Sequence, residues 1–546
     1  MSTPHVQTDL ALVIDVGSAW AKAGVIGRVR GRWRLVAHAA QPTSWGAAEL
    51  RAALLEQLVA ADPRLGPEME SHLAKAARIE CHTARSGGRV AVVAVSRELS
   101  GSAARRGAEA AGWRVSELVT LDDGRTLAER LAVLQAVEVD AWVLAGGFED
   151  GASPRALEAA ALVASARRRG GAPVVWAGTA ELARGVAAMF EPDATTSVAN
   201  VRPDPRREDP EPLRAHLQAL LRTAVAAEDE SHLASISFPR AVGALAATSG
   251  LRILGVDLGA RSATRVLAEP DGTFASLVHA RGGLAGAVAL PGAAARIARL
   301  AGDAGDDAEV ADVLQTLRAR PATLPQSHEE LSATQAAARL LLTALVDDAD
   351  TAGGVDLVIG AGRTIACAPQ PAQAMRMLLD GVRPLGVTQL AVDPASVLGP
   401  LGSLFDDEVR EGISLLSDDL LVPLGSAVVC RGGEAGHMAL RVTVHRPGWP
   451  GQAPIEVRTG QLQVVPLGRG QEAELTIETG RGVSVGAPRR SPRIHATVTG
   501  GSVGLVLDAR GVPIGLPRRG DDRRAVLAGW RDALAREAAP GAERVA

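Results

Sequence analysis

One device constrains this chain more than any other, because it occurs twice. Leu12-Val-Ile-Asp-Val-Gly-Ser-Ala-Trp-Ala-Lys-Ala-Gly-Val-Ile26 is an apolar run, a turn with Asp15, Gly17 and Ser18, and a second apolar run that carries Lys22. The two apolar runs predict strands, so the segment reads as a hairpin. Its turn presents a carboxylate, a glycine N–H, a hydroxyl and a lysine together. Glycine lets backbone approach an anion closely, and neighbouring N–H groups in a tight turn form an anion-binding concavity. Ile253-Leu-Gly-Val-Asp-Leu-Gly-Ala-Arg-Ser-Ala-Thr-Arg-Val-Leu267 repeats the device around Asp257, Gly259 and Arg261. Two such hairpins, one in each half, are expected to face each other across a nucleotide.

A chain of 546 residues is too long for a single core and implies several domains. The net charge of -4, with arginines interspersed among acids, argues against a nucleic-acid partner. Cys81, Cys367 and Cys430 are far apart and fit neither a disulfide framework nor a zinc spacing, which points to a reducing cytoplasm. Met1 to Asp9 lacks the pattern of a signal peptide. The most apolar helical stretch, Leu331 to Val346, carries Gln335 and Arg339 and falls short of the ~20 residues that span a bilayer. Lysine occurs only at Lys22 and Lys75, tyrosine is absent and Asn200 is the single asparagine. In a chain that otherwise uses arginine for positive charge, a lysine inside the first hairpin stands out.

After that hairpin, Arg32 to Ala39 reads as a third strand and Gly46 to Ala61 as a helix. From about Arg78 strands and helices alternate. The strands are Arg89 to Ser96, Val115 to Leu121, Ala141 to Ala145 and Pro173 to Trp176, and helical patterns lie between them. That alternation predicts βαβ units, hence a parallel sheet inserted into the first half. Its Ala145-Gly-Gly-Phe-Glu-Asp-Gly151 turn follows a strand's C-terminal end, where ligands of open α/β sheets bind. No GxGxxG spacing supports a dinucleotide there. Beyond the second hairpin come three helical segments and then Val355-Asp-Leu-Val-Ile-Gly-Ala-Gly-Arg-Thr364, a buried strand ending in Gly360-x-Gly362. From about Leu421 short alternating strands predict a β-rich tail closed by a helix from Asp521 to Arg536.

Several of these segments occur in the order of a known family. Leu12–Ile26, Gln41-Pro-Thr43, Arg89–Ser96, Leu144-Ala-Gly-Gly147, Asn200-Val-Arg-Pro203, Val358-Ile-Gly-Ala-Gly362 and Ala368-Pro-Gln-Pro-Ala-Gln373 together resemble the GlmL (MutL) proteins encoded beside glutamate mutase, which are unrelated to the mismatch-repair protein of similar name. The resemblance runs to about Leu404. It implies an α/β fold of duplicated actin-like (ribonuclease H-like) domains, with the Rossmann-like parallel insertion and a C-terminal β-rich domain. The expected boundaries are 1–80 for the first part, 81–200 for the insertion, 201–250 for a linker with helices, 251–420 for the second half and 421–546 for the tail. The resemblance also implies an ATP-dependent accessory or reactivating chaperone for an adenosylcobalamin-dependent mutase, with ATP and Mg²⁺ as cofactors and a mutase subunit as partner. Self-association is compatible with it.

Carried onto this sequence, the resemblance makes Asp15 and Asp257 the Mg²⁺-binding and catalytic carboxylates, acting through water. Gly17, Ser18, Lys22 and Gly259 would meet the phosphates, and Gly360 and Gly362 would flank the adenosine; Arg261, which departs from the family's second loop, would either compensate by pairing with phosphate or fill an empty site. Phosphoryl transfer asks for this, since it is mainly positioning and charge neutralisation. The family's loops usually carry hydroxyls where this chain has Ala19 and Ala21. Its second loop usually reads Gly-Gly-Ala-Thr-Thr-Asp, against Ala260-Arg-Ser-Ala-Thr-Arg265 here, and an acidic segment is replaced by Arg281-Gly-Gly-Leu-Ala285. Those departures keep a second reading open, a pseudo-ATPase scaffold that binds a partner without hydrolysis. A third, a small-molecule kinase, needs a base such as Asp356 or Asp393. No Asp-x-His-x-x-Gly segment is present, so no direct cobalamin site is expected.

Overall fold

In the computed structural model the described residues are 10–61, 66–82, 88–111, 113–151, 154–168, 170–225, 233–279, 282–347, 350–351, 353–404, 406–415, 419–446, 453–486 and 493–535. Met1 to Asp9, Arg281 and Arg536, named above, lie outside them. The chain divides into two compact units, residues 85–235 with 277–281, and the remainder.

The larger unit opens with strands β1 (Leu10–Val16), β2 (Trp20–Val29) and β3 (Arg32–Pro42), the helices Ala47–Ala61 and Gly66–Lys75, and β4 (Ala77–His82). The sheet order is β3-β2-β1-β4, antiparallel through the hairpins and parallel between β1 and β4. β1 and β2 form because their apolar runs bury Leu12, Val13, Ala23, Val25 and Ile26. β4 is half-exposed, and its Arg78, Glu80 and His82 conceal a strand pattern.

The smaller unit holds β5 (Arg89–Ala94), β6 (Arg114–Thr120), β7 (Ala141–Ala145), β8 (Val174–Trp176) and β9 (Thr195–Ser197) in the parallel order β6-β5-β7-β8-β9. Strands buried on both faces explain continuous apolar runs such as Val90 to Ala94. The helix Glu211–Val225 belongs to this unit: Leu213 packs on Gly107 of the helix Ser102–Ala110, and Trp113 Nε1 donates to Leu217 O at 2.8 Å. Residues 201–225 thus belong with the insertion, whereas 236–250 belong to the larger unit. The Gly146-Gly147 turn after β7 is filled by the protein itself, since Asn200 Nδ2 donates to Gly147 O at 3.0 Å and to Glu149 Oε1 at 2.9 Å.

The larger unit resumes with β10 (Ile253–Leu258), β11 (Ala263–Ala268), the start of β12 (Phe274–His279), β13 (Leu357–Ala361), β14 (Gly386–Val392) and β15 (Val422–Val429). The order β12-β11-β10-β13-β14 repeats β3-β2-β1-β4 and adds one strand. This duplication is the actin-like arrangement, and the fold is α/β with an inserted parallel domain. The tail does not begin a separate sheet at 421: β15 pairs with β14, and Gly504–Asp508 and Leu462–Val465 continue the same sheet. A further four-stranded sheet completes the β-rich tail, and the helix Gly520–Ala535 closes it. Val13 and Ile26 share an apolar cluster with Ile253, Val266, Ile359 and Leu398, which joins the two repeated sheets. Among the described residues no helix is long and apolar enough to cross a membrane.

Candidate functional site

The two hairpin turns are built alike. Gly17 N–H donates to Trp20 O at 2.9 Å, and Gly259 N–H donates to Ser262 O at 3.0 Å. Each glycine thereby closes a turn two residues after an aspartate at a strand end. Antiparallel register sets Asp15 opposite Lys22 and Asp257 opposite Thr264. Directly paired residues point to the same face, and Lys22 Nζ meets Asp15 Oδ2 at 2.6 Å. Thr43, at the end of β3, steadies the first loop by donating from Oγ1 to Gly17 O and from its amide to Ala19 O, both at 2.9 Å.

The second loop is held differently. The backbone of Gly283, Leu284 and Ala285 donates to Arg261 O, Gly259 O and Ala260 O at 3.1, 3.0 and 2.8 Å. A Cβ on Gly283 would stand 2.4 Å from the Arg261 carbonyl carbon, so only glycine permits this strap. The segment that lacks the acid expected from the family pattern is therefore a clamp on the second loop.

Both turns open on one cavity of about 490 Å³. Asp15, Gly17, Ser18, Lys22, Asp257, Gly259 and Gly362 all line it. Arg261 does not, and its side chain is exposed. Gly360 does not either: it lies in β13, where a Cβ would press on Ile365 and Leu378 in the core. Gly362 follows that strand with φ +85°, and a Cβ there would lie 2.2 Å from Leu258 O and 2.9 Å from Asp257 Oδ1. Glycine is thus required where the chain passes beneath the second carboxylate.

Other groups outside the hairpin motifs also line the cavity. Arg363 stacks over Trp20 with its guanidinium carbon 3.9 Å from the ring centroid, which ties the first hairpin to the segment after β13. Thr334 and Gln335 reach the cavity from the helix His328–Leu345, and Gln335 Nε2 is buried without a hydrogen-bond partner. Arg363 adjoins the Gly360-x-Gly362 signal and was accessible to reading. The helix residues become neighbours of Asp257 only through the fold.

Burial and the neighbouring Asp15 charge push the Asp257 carboxyl up to about 6, although Lys22 opposes this. Burial pulls the Lys22 ammonium down, but Asp15 and Asp257 hold it above its ordinary range. Asp15 Oδ1 is buried and accepts no hydrogen bond. Asp393 is also pushed up to about 6 by burial, with its oxygens accepting the Leu398 and Val397 amides at 3.0 and 3.1 Å. It caps the short helix Leu398–Leu401 rather than offering a base. Asp356 accepts the Arg252 amide at 2.8 Å before the start of β13, at the end of the strand away from Gly362. Neither residue supplies the free base that a small-molecule kinase needs.

The donor set suits Mg²⁺. An orphaned carboxylate oxygen on Asp15 and a destabilised carboxylate on Asp257 are hard oxygen ligands with one lysine between them. Mg²⁺ is commonly held by one or two carboxylates together with waters and substrate phosphates.

A family model described as MutL protein matches residues 11–420. Curated proteins give no match. Among solved structures, component A of the (R)-2-hydroxyglutaryl-CoA dehydratase of Acidaminococcus fermentans is similar at 9% identity, over 74% of this chain and 98% of that one, with a TM-score of 0.26. A nucleotide-free acetone carboxylase is similar at 12% identity, over 83% and 81%, with a TM-score of 0.30. Xylulose kinase from Bifidobacterium adolescentis is similar at 12% identity, over 77% and 96%, with a TM-score of 0.26. These structural likenesses are too low to bear on function.

Proposed function

This chain belongs to the MutL family, the one associated with glutamate mutase and not with mismatch repair, and from that premise we propose that it is an ATP-dependent accessory protein for an adenosylcobalamin-dependent mutase. The observation that carries the reading is the pair of equivalent turns that set Asp15, Lys22 and Asp257 around one cavity. In this reading Asp15 and Asp257 would hold Mg²⁺, Lys22 would leave Asp15 for the nucleotide phosphates, and Gly362 would make room for the adenosine. Magnesium supplies the charge neutralisation that phosphoryl transfer needs. The Ser18 hydroxyl orients the phosphates. The two repeated sheets, one on each hairpin, provide a hinge whose closure on nucleotide is transmitted to the partner.

A second reading is favoured by one observation. Ala19 and Ala21 stand where the family's first loop carries hydroxyls, and Arg261 does not line the cavity, so a scaffold that binds a partner without hydrolysis also fits. Phosphate release by the full chain with Mg·ATP separates the two. Slow turnover lost in Asp15→Ala supports the ATPase, whereas nucleotide binding with no turnover supports the scaffold. For the partner, ATP is expected to restore activity to a cobalamin-inactivated glutamate-mutase-type enzyme only when this protein is present. Equal recovery without it would remove the accessory role.

A further inference from the structure

A second cavity, of about 270 Å³, lies among the helices Ala293–Ala301, His328–Leu345, Pro371–Val382 and Gly520–Ala535. That is just under the ~300 Å³ at which ligand pockets begin, so only a small molecule fits. Leu300, Leu340, Ile514, Leu516, Leu527 and Trp530 make it apolar, yet Arg296, Arg299, Arg339 and Arg383 also line it. Its one lining acid is Asp380.

That acid is already taken. Arg510 Nη1 lies 2.7 Å from Asp380, Arg339 Nη1 2.9 Å and Arg376 Nε 3.6 Å. Asp508, the only other carboxylate in the cluster, is held by Arg510 at 2.7 Å. Three guanidinium groups therefore share two carboxylates. Arg376 shows the imbalance: its Nε and Nη2 are buried without hydrogen bonds. Burial first, then Arg339, Arg510 and Arg531, lower its pKa to about 9 despite Asp380. Arg296 and Arg299 are exposed, and among the described residues neither has an ion-pair partner. Three residues apart on one helix, they face the same way. Asp380, the acid that lines the pocket, is thus engaged by other guanidinium groups and is not paired with Arg296 or Arg299.

We propose that this pocket binds a small organic acid, with its carboxylate held by Arg296 and Arg299 and its apolar body against Leu300, Leu340, Leu527 and Trp530. Two guanidinium forks match a carboxylate in geometry as well as charge. The pocket shares the helix His328–Leu345 with the first cavity but no lining residue. It therefore takes a ligand of its own.

The test is a titration of the full chain with anilinonaphthalene sulfonate, an anionic aromatic probe that brightens in apolar surroundings. Saturable binding of one probe per chain is expected, displaced by octanoate and not by octanol. Mg·ATP should leave it in place. Arg296→Gln with Arg299→Gln changes only exposed side chains, and it should weaken probe binding about tenfold or more. Ile514→Trp, which fills the pocket and keeps both arginines, should abolish it. The proposal fails if binding is not saturable, if octanol competes as well as octanoate, if Mg·ATP displaces the probe, or if either variant binds as the wild type does.

Discussion

The two Asp-x-Gly hairpins share a backbone and differ in what stands on it. Both end a strand in an aspartate, both close through a glycine amide, and both face the same cavity. Opposite its aspartate the first carries Lys22, while the second carries Thr264. The first loop is steadied by one side chain, Thr43, whereas the second is clamped by the backbone of residues 283–285. A duplicated fold has thus divided the work. The first hairpin supplies positive charge on Lys22, and the second supplies a carboxylate whose burial makes it want a cation.

Three substitutions sharpen or break that division. The largest effect is expected from Lys22→Met, because Lys22 is the lone cation on either hairpin that reaches the cavity. Mg·ATP affinity should fall by about a hundredfold or more, the cost of truncating one partner of a buried charge pair. Circular dichroism checks that the variant remains folded, and an unchanged affinity would remove the asymmetry. Asp257→Asn should have a smaller effect, about tenfold, seen only when Mg²⁺ is present. The same loss with and without Mg²⁺ would show that Asp257 acts on the nucleotide directly. Arg261→Ala should change affinity by less than about twofold, because an exposed side chain away from special features contributes little. A large loss would return Arg261 to the phosphates, as compensation for the hydroxyls its loop lacks.

The hairpins were legible because an apolar run on each side of Asp-x-Gly leaves few alternatives to strand, turn and strand. The parallel insertion was legible for the same reason, as Val90 to Ala94 and Ala141 to Ala145 are fully buried. β4 was not, since an edge strand with one neighbour keeps Arg78, Glu80 and His82 in partial contact with water. β14 was hidden by Thr388, which is buried yet satisfied by donating to Val355 O at 2.8 Å. At the site, aspartate, glycine and lysine could be placed from spacing alone. Gly360 and Gly362 could not be told apart, because one faces the core and the other the cavity, a matter of strand pleat and strand end. The strap of residues 283–285, the Arg363–Trp20 stack and Gln335 depend on contacts between distant segments, which no local pattern records.

The central claim is that two carboxylates and one lysine form a site completed by Mg·nucleotide. Calorimetric titration of the full chain with ATP, with Mg²⁺ and again with the metal chelated, tests it most directly. One nucleotide per chain is predicted, bound markedly more tightly with Mg²⁺. Absence of binding, or equal affinity with and without the metal, would contradict it.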